Sequence, residues 1–461
     1  MTENRYDMVI LGGGPGGYVA AIRANQLGMS VALVEDKDLG GICLNWGCIP
    51  TKTLLKSAEV YDQILHASDY GMEVSGASFD MRKIVKRSRV AAERLSKGVG
   101  FLMKKNNVSV YNSRGSLDAD ANVVLSSGEL LSSENVIIAT GGRPVTIPGV
   151  DVDEEKIITS KTAMTLREIP QDLVIIGAGA IGIEFGYFFS TFGSKVTLVE
   201  MMPQILPVED AEVAKSVEVS FLKRGMNIRT STAVKNVEKT ADGVKVRIEE
   251  DGKEDEISAD IVLNAVGVRG NIEEIGLEEA GVETSGRFIN TDSSCKTARD
   301  GVWAIGDVIG PPLLAHVASA EGIAAVEIMA GKRDHGIDYS SIPGCTYCQP
   351  QVASFGLTEK AASEKGLKVK VGRFPFRANG KALAIGHLEG FVKTIFSEED
   401  GELVGAHIVG EDATEMIGEL LLARTHGATY KSIMETIHAH PTLGESIPEA
   451  VGEAYGEATN I

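Results

Sequence analysis

Cysteine, basic charge and long hydrophobic runs are all in short supply in this sequence. Only five of the 461 residues are cysteine, and 45 Lys and Arg residues face 64 Asp and Glu residues. This acidic balance argues against nucleic acid as the main partner and allows a basic protein partner instead. No stretch is long and apolar enough to span a bilayer, so we expect no membrane association.

The N-terminal residues MTENRYDMVILGGGPGG lack a basic leader followed by an apolar core and a small-residue cleavage site. We therefore expect a cytoplasmic protein. Structural disulfides are rare in that compartment, whereas a working dithiol is plausible there. An organelle protein with its targeting segment already removed would look similar.

The length predicts two to four domains, and the 43% hydrophobic and 24% charged residues are typical of a soluble globular protein. Glycine is abundant, with 52 residues and no collagen-like period. Because glycine lets a backbone approach a ligand closely, this abundance indicates tight ligand contacts.

A strand–glycine turn–helix–strand unit occurs twice, as YDMVILGGGPGGYVAAIRANQLGMSVALVE and as LVIIGAGAIGIEFGYFFSTFGSKVTLVE. Each copy carries G-x-G-x-x-G and a Glu at the end of the second strand, with the same separation between them. The first glycine makes the turn, the second admits a pyrophosphate, and the third lets helix and strand pack closely. The helix N-terminus then faces the phosphates, and the Glu accepts hydrogen bonds from ribose hydroxyls. The residues are Gly12, Gly14, Gly17 and Glu35 in the first copy, and Gly177, Gly179, Gly182 and Glu200 in the second. Two complete copies predict two dinucleotide sites, which suggests a tightly bound FAD and an exchangeable NAD.

The remaining segments complete an α/β architecture. ENVIIATGGRP (134–144) and ADIVLNAVGVRG (259–270) each run from a buried-looking strand into a glycine turn, and residues 301–331 supply a further strand, turn and helix that return to the first domain. From about residue 341 the pattern is that of a separate antiparallel sheet with helices. We predict two Rossmann-like dinucleotide-binding domains plus a C-terminal α+β interface domain. The predicted boundaries are 1–149 with 270–340 for FAD, 150–269 for NAD, and 341–461 for the interface.

Cys43 and Cys48 lie five positions apart in GGICLNWGCIP. In a regular helix their Cα atoms would be roughly 8–9 Å apart, and a disulfide needs about 4.4–6.8 Å. If they bond, the segment is therefore not a plain helix. A helix beginning near Pro50 would place Cys48 at its positively polarised N-terminus, which favours a thiolate. A metal site lacks ligands because position 51 is Thr and no C-x2-C pair lies here. A redox pair is the favoured interpretation, with a metal site and two core thiols as alternatives.

At this point the chain resembles the flavoprotein disulfide reductases, over essentially its whole length. GGICLNWGCIPTK is similar to their redox-active signature, and its C-L-N-x-G-C-I-P-x-K form resembles the dihydrolipoyl dehydrogenases more than glutathione or mercuric reductases. ATGGRP, AIGD, LLAHVA and HAHPTLGES extend the resemblance. The C-terminal YGEATNI lacks the extra cysteines of mercuric reductase and of large thioredoxin reductases.

The resemblance implies the roles of the catalytic residues. Cys43 would be the thiol that exchanges with substrate, and Cys48 the thiol against the flavin. His440 would be the acid–base catalyst, and Glu445, five residues on, would orient it and make it more basic. It further implies a head-to-tail homodimer in which His440 serves the cysteines of the other subunit. His438 we interpret as structural.

The resemblance also assigns residues to the cofactors, with one FAD tightly bound per subunit. Lys52 would lie beside the flavin ring, paired with Glu184, and stabilise negative charge on reduced flavin. Asp307 would hold the ribityl chain. The other predicted contacts are Gly115 and Ala315 through backbone atoms, Thr140 and Gly141 of ATGGRP, and Gly267 at the NAD site.

Three cysteines remain outside the redox pair. Cys345 and Cys348 form C-T-Y-C, a spacing used by zinc and thioredoxin-like sites, but no second cysteine pair is present and only His335 lies nearby. We interpret both as core thiols, with a metal or auxiliary redox role as the alternative, and Cys295 as a structural thiol. We predict no metal site.

Together these features predict a dihydrolipoyl dehydrogenase that oxidises protein-bound dihydrolipoamide and reduces NAD+. Its partners would be the lipoyl domains and acyltransferase core of a 2-oxoacid dehydrogenase or glycine cleavage complex. Glu200 favours NAD over NADP because it would repel a 2′-phosphate. The alternatives are an NAD(P)H-dependent reductase of another low-molecular-weight disulfide, and a flavin-binding subunit or redox sensor that acts by docking.

Overall fold

The secondary structure alternates between strands and helices along most of the chain. A computed structural model describes residues 3–460. The strands are β1 (Glu3–Leu11), β2 (Val31–Glu35), β3 (Ser109–Asn112), β4 (Gly115–Leu117), β5 (Val123–Leu125), β6 (Leu130–Ile138), β7 (Gly142–Pro144), β8 (Ile157–Ile158), β9 (Asp172–Ile176), β10 (Lys195–Val199), β11 (Asn227–Arg229), β12 (Thr232–Lys239), β13 (Val244–Glu250), β14 (Lys253–Ala259), β15 (Ile261–Asn264), β16 (Val268–Gly270), β17 (Thr284–Ser285), β18 (Phe288–Ile289), β19 (Val302–Ala304), β20 (Gly344–Thr346), β21 (Gln351–Gly356), β22 (Val369–Pro375), β23 (Phe391–Ser397) and β24 (Leu403–Gly410). The helices are α1 (Pro15–Gln26), α2 (Gly41–Trp46), α3 (Cys48–Leu65), α4 (Met81–Lys105), α5 (Ser160–Ala163), α6 (Ala180–Thr191), α7 (Ala211–Lys223), α8 (Ala315–Met329), α9 (Glu359–Glu364), α10 (Gly380–Ile385), α11 (Ala413–Thr425), α12 (Tyr430–Met434) and α13 (Ser446–Tyr455).

The chain forms two compact units, of which the first contains the segments up to Leu54, Asp80–Val145 and Gly267–Ile337. Its main sheet has the strand order β3-β2-β1-β6-β5-β4, with β19 also pairing with β6. Strands β1, β2, β3, β6 and β19 are parallel, and β4 and β5 are antiparallel. Buried on both faces, β1 carries the continuous apolar run that a central parallel strand requires.

Small residues bring α1 and α8 together within this first unit. Ala20, Ala21 and Ala24 of α1 are fully buried. A side chain on Gly16 would lie only 3.1 Å from the Ala318 carbonyl oxygen of α8. The two helices therefore pack at a separation that larger side chains would not allow.

The second unit contains Leu55–Phe79, Thr146–Val266 and Asp338–Ile461. It holds a parallel sheet in the order β11-β10-β9-β15-β8, a three-stranded antiparallel sheet β12-β13-β14, and an antiparallel sheet β20-β21-β24-β23-β22. Helix α6 buries its aromatic side chains, Phe185, Tyr187, Phe188 and Phe189. Helices α11 and α13 pack their apolar side chains into the core formed with the last sheet.

The predicted α/β class, with two parallel nucleotide-type sheets and a C-terminal α+β segment, is confirmed. The structure groups residues 146–266 and 338–461 into one compact unit, whereas the sequence predicts two separate domains there. The three-domain division stays a prediction.

Candidate active site

The two closely spaced cysteines lie on two different helices and form a disulfide. Helix α2 ends at Trp46, and α3 begins at Cys48. Between them Gly47 has φ −152° and ψ −111°, which breaks the helix and brings the two Cα atoms to 4.7 Å. The expectation that a bonded pair excludes a plain helix is confirmed. Pro50 is tolerated because the first N–H groups of a helix need no partner within it.

Side chains from two helices hold the loop that carries the disulfide. The Asn45 amide donates to the carbonyl oxygens of Leu39 at 3.1 Å and Gly41 at 3.0 Å. Arg89 of α4 donates from Nη2 to the Asn45 carbonyl at 2.6 Å, and its guanidinium lies 4.5 Å from the centre of the Trp46 ring. Burial lowers the pKa of Arg89 from its usual value. Arg89 was not predicted from the sequence, because no local pattern links it to the cysteines.

The first glycine loop leaves space only where a phosphate would approach. A Cβ on Gly12 would lie 2.1 Å from the Ala139 carbonyl oxygen, and one on Gly17 would lie 1.9 Å from the Gly12 carbonyl oxygen. At Gly14, which precedes α1, the nearest atom would be 4.0 Å away. The first and third glycines are thus required by the fold, and the middle one faces open space.

The second glycine loop repeats this geometry before α6. A Cβ on Gly177 would lie 2.6 Å from the Ala265 carbonyl oxygen, and one on Gly182 only 1.9 Å from the Gly177 carbonyl oxygen. Gly179 has no neighbouring atom within 4 Å of such a Cβ. Both loops therefore fit a bound dinucleotide.

Two glutamates hold these loops, Glu35 at the end of β2 and Glu200 directly after β10. Glu35 accepts a hydrogen bond from the Gly13 N–H at 2.8 Å, and Glu200 accepts one from the Ala178 N–H at 2.7 Å. The sequence separation is 22 residues in both pairs. Burial raises the pKa of Glu35, and the Gly13 N–H opposes this shift. The sequence analysis assigned both carboxylates to ribose hydroxyls and did not foresee that they hold the loop.

The ATGGRP turn is fastened by one asparagine that the sequence analysis also missed. The Thr140 hydroxyl donates to the Asn271 carbonyl at 2.8 Å, and the Asn271 amide donates back to the Thr140 carbonyl at 2.9 Å. The Asn271 N–H donates to the Gly141 carbonyl at 2.9 Å. Arg143 completes the cluster by donating to Asn271 Oδ1 at 2.9 Å.

Asp307 presents a carboxylate suited to a ligand hydroxyl. It lies on the 3-10 turn Gly306–Val308, whose Gly306 N–H donates to Glu321 at 2.6 Å. Within residues 3–460, no hydrogen bond or ion pair holds the Asp307 carboxylate, and burial raises its pKa. An unpartnered, partly buried carboxylate fits the predicted contact with the FAD ribityl chain.

The remaining predicted contacts in this unit are backbone positions. Gly115 begins β4, where a Cβ would lie 2.8 Å from Leu11, and Ala315 begins α8. Gly267 has φ +128° and accepts a hydrogen bond from the Val145 N–H at 2.9 Å.

Lys52 and Glu184 belong to different units. Lys52 lies on α3 in the first unit, and Glu184 lies on α6 in the second. Glu184 is buried and accepts a hydrogen bond from the Tyr347 N–H at 3.0 Å. Their pairing stays a prediction.

His440 and Glu445 form a hydrogen-bonded pair at the start of α13. Nδ1 of His440 lies 2.9 Å from Glu445 Oε1, and the Thr442 N–H donates to Glu445 Oε2 at 2.8 Å. Because the ionised carboxylate only accepts, Nδ1 carries the hydrogen, and Nε2 of the neutral ring accepts. The Thr442 N–H, followed by the His440 ring, lowers the pKa of Glu445. The arrangement is that of a base oriented by a carboxylate, with the ring 78% exposed.

His438 makes different contacts from His440. Its ring bonds the Thr436 carbonyl at 3.0 Å and the Glu419 carboxylate at 2.7 Å, and its side chain is 11% exposed. Both ring nitrogens are occupied, which agrees with a structural role.

Cys295 and Cys348 are buried and Cys345 is partly buried, and none of the three forms a disulfide within residues 3–460. Cys348 Sγ donates to the Pro350 carbonyl at 3.0 Å, as expected of a core thiol. One acidic cluster, Asp210, Glu212 and Glu359, has a spacing suited to a cation, but the amine of Lys393 bonds all three carboxylates. Across residues 3–460, none of the helices has both the length and the apolar character needed to cross a bilayer.

Comparison with known proteins gives matches over nearly the whole chain. Residues 6–322 match the family described as pyridine nucleotide-disulphide oxidoreductase, and residues 342–451 match its dimerisation domain. Curated relatives named dihydrolipoyl dehydrogenase include those of Zymomonas mobilis (48% identical, covering 99% of this chain and 100% of the relative) and Chlorobaculum parvum (47%, covering 97% of each). Among solved structures, LpdA of Mycobacterium tuberculosis superposes with a TM-score of 0.89 at 27% identity, covering 97% of this chain and 99% of that one. The flavoprotein disulfide reductase RclA of Escherichia coli has a TM-score of 0.86 at 25% identity, with the same coverage of both chains.

Proposed function

Because the chain belongs to the pyridine nucleotide-disulphide oxidoreductase family, we propose that it oxidises protein-bound dihydrolipoamide to lipoamide and reduces NAD+ to NADH. The observation that carries this proposal is the Cys43–Cys48 disulfide at the start of α3. The names of the curated relatives confirm the activity predicted from the sequence.

The cofactor assignments follow from the two loops. The loop with Gly14 and the carboxylate of Asp307 would hold FAD, and the loop with Gly179 and Glu200 would hold NAD. When bound, FAD supplies a two-electron carrier and NAD+ a hydride acceptor. Lys52 would add positive charge beside the flavin, with Glu184 as its partner.

The chain's own residues carry out thiol–disulfide exchange. Nε2 of His440 takes the proton of one substrate thiol, and the resulting thiolate attacks Cys43 Sγ. The Cys43–Cys48 bond breaks, and Cys48 leaves as a thiolate, which the N-terminus of α3 favours. The second substrate thiol attacks the substrate sulfur of the mixed disulfide, and its proton passes to the leaving Cys43, so two electrons move from substrate to the cysteine pair.

The C-terminal segment supports a homodimer. Residues 342–451 match a dimerisation domain, and we infer that His440 of one subunit serves the disulfide of the other. We further infer that the physiological substrate is a lipoyl domain on the acyltransferase core of a multienzyme complex. The domain division proposed from the sequence, 1–149 with 270–340, 150–269 and 341–461, assigns these parts to FAD, NAD and interface.

The test is anaerobic reduction of the holoenzyme with dihydrolipoamide, followed by counting of accessible thiols and addition of NAD+. We expect two new thiols per chain before NAD+, and NADH formation after it. Cys48→Ser should abolish both while the protein stays yellow, and Cys345→Ala, which removes a cysteine outside the pair, should leave both unchanged. If NADH reduces the enzyme and dihydrolipoamide does not, the substrate assignment is wrong. The enzyme would then be a reductase of another disulfide.

A further inference from the structure

Asn379 is a buried amide whose hydrogen bonds reach two separate parts of the chain. It is 4% exposed and precedes α10. Its Oδ1 accepts hydrogen bonds from the N–H groups of Lys381 at 2.8 Å and Ala382 at 3.0 Å, which caps that helix. Its Nδ2 donates to the Thr442 carbonyl and to the Ser446 hydroxyl, both at 3.0 Å.

The two acceptors of the Asn379 amide bracket the turn that carries Glu445. Thr442 precedes the 3-10 turn Leu443–Glu445, and Ser446, which is fully buried, follows it. Within this turn, the Thr442 N–H donates to Glu445 Oε2 at 2.8 Å, and the other carboxylate oxygen, Oε1, is directed at His440 Nδ1. A path of contacts through Thr442 and Glu445 therefore connects the buried Asn379 amide to the exposed His440 imidazole.

The contrast in burial explains why such a path is needed. The His440 side chain is 78% exposed, and that of Glu445 is 32% exposed. Exposed side chains lose little by changing rotamer, so the orientation of His440 depends on how firmly the turn holds its carboxylate partner. Asn379 supplies that anchor, because both of its polar atoms are fully used in a buried site.

We propose that Asn379 is a positioning residue that holds Glu445 against His440 and thereby sets the orientation of the imidazole. The proposal rests on the function given above, in which His440 is the base. It assigns no contact with substrate to Asn379, which acts only through the turn and the carboxylate.

The test uses Asn379→Ser in the holoenzyme. Serine is a good helix N-cap, so the hydroxyl keeps the α10 cap, but it is too short to reach Thr442 and Ser446. We expect the Nδ1 chemical shift of His440, followed by NMR of ring-labelled histidine, to move away from its wild-type value, and Glu445→Gln, which removes the carboxylate partner, to move it further in the same direction. His440→Gln identifies the resonance. The other titratable groups near the pair are His438 and Glu419, which contact each other and are unchanged in these variants.

The second measurement is the pH profile of single-turnover reduction by dihydrolipoamide. The limiting rate at neutral pH should fall about tenfold in Asn379→Ser, with little change in the dihydrolipoamide concentration that gives half of that rate, because only the orientation of the base is lost. Thr358→Ala is the matched control, since it removes the cap of α9, at the Ala361 N–H, without touching the turn. It should leave both the Nδ1 chemical shift of His440 and the rate unchanged.

A double variant separates this inference from the function on which it rests. If Asn379 acts through Glu445, adding Asn379→Ser to Glu445→Gln should move the Nδ1 chemical shift of His440 no further. A wild-type chemical shift in Asn379→Ser would overturn the inference, and so would fully additive effects. If Glu445→Gln itself leaves the rate unchanged, the assignment of His440 as base fails, whatever Asn379 does.

Discussion

Replacing Lys393 with methionine should cost about 3 kcal/mol of stability. Lys393 lies on β23 with none of its side chain exposed, and its Nζ bonds Asp210 at 2.8 Å, Glu212 at 2.7 Å and Glu359 at 2.5 Å. The hydrogen bonds to these three carboxylates raise its pKa, although burial opposes the shift. Removing one partner of a buried ion pair generally costs about 3–5 kcal/mol, because it leaves an uncompensated charge.

The geometry places most of this cost on Asp210. Glu212 and Glu359 are 45% and 40% exposed and keep Arg373, at 2.8 Å and 2.6 Å, so their share should be at most about 1 kcal/mol. Asp210 is 4% exposed and would keep only the backbone N–H groups of Glu212 and Glu359. Neutralising it should therefore restore stability. We expect the double variant Lys393→Met with Asp210→Asn to have a free energy of unfolding about 2 kcal/mol higher than that of Lys393→Met alone.

The assay is urea unfolding of the holoenzyme followed by circular dichroism. Tryptophan fluorescence would report on the wrong unit, because Trp46 and Trp303 both lie in the first unit and Lys393 lies in the second. The pKa of Asp210 is lowered by Lys393 against the effect of burial, so its contribution is present above pH 3.8 and lost only below that value. The raised pKa of Lys393 keeps its charge up to at least pH 10.5. The deficit should thus be constant from about pH 7 to pH 9 and shrink at lower pH, where a proton neutralises the unpaired Asp210 of the variant as Asp210→Asn does. A loss below about 1 kcal/mol, or no rescue by Asp210→Asn, would refute the reasoning.

Two further predictions concern Glu209 and the first glycine loop. Burial raises the pKa of Glu209 from 4.5 to about 7, so the folded carboxyl keeps a proton that the unfolded one has lost, and stability should fall as pH rises through that window. Glu209→Gln should therefore raise the thermal midpoint at pH 8 and leave it unchanged near pH 4.5. Glu435→Gln, at an exposed site, should change the midpoint at neither pH. Equal midpoints for Glu209→Gln and the unchanged protein at pH 8 would contradict this. Gly17→Ala should yield protein without bound FAD, because its Cβ would meet the Gly12 carbonyl oxygen at 1.9 Å. Gly98→Ala, with no atom within 4 Å of its Cβ, should stay yellow, and a yellow Gly17→Ala protein would show that the loop can move.

The features predicted correctly from the sequence are those whose physical cause lies within a short segment. Each nucleotide loop, its helix and its closing Glu lie within about thirty residues, so the glycine spacing alone constrains the geometry. The same holds for the Cys43–Cys48 pair, where the spacing and Gly47 exclude a regular helix. The family prediction succeeded because several such short signatures occur in order.

The features that were missed depend on residues far apart in sequence. Lys393 meets Asp210 across 183 positions, and Asn379 meets Thr442 across 63. Weak signals were nevertheless present. A lysine in the otherwise apolar run FVKTIF indicates a buried charge that needs partners, and an asparagine before GKALAI is typical of a helix cap. Neither pattern says which distant residue completes the contact.

The exposure of His440 supports a second subunit in the proposed site. The turn behind its carboxylate partner is anchored by the buried Asn379, yet the ring itself is 78% exposed in the single chain. A base that takes a proton from a thiol works best where water is excluded, because the thiolate and imidazolium then interact strongly. Anchoring the carboxylate so firmly would gain little if the ring stayed in bulk water. We therefore propose that the enclosure comes from another molecule, and the match of residues 342–451 to a dimerisation domain favours a second copy of this chain.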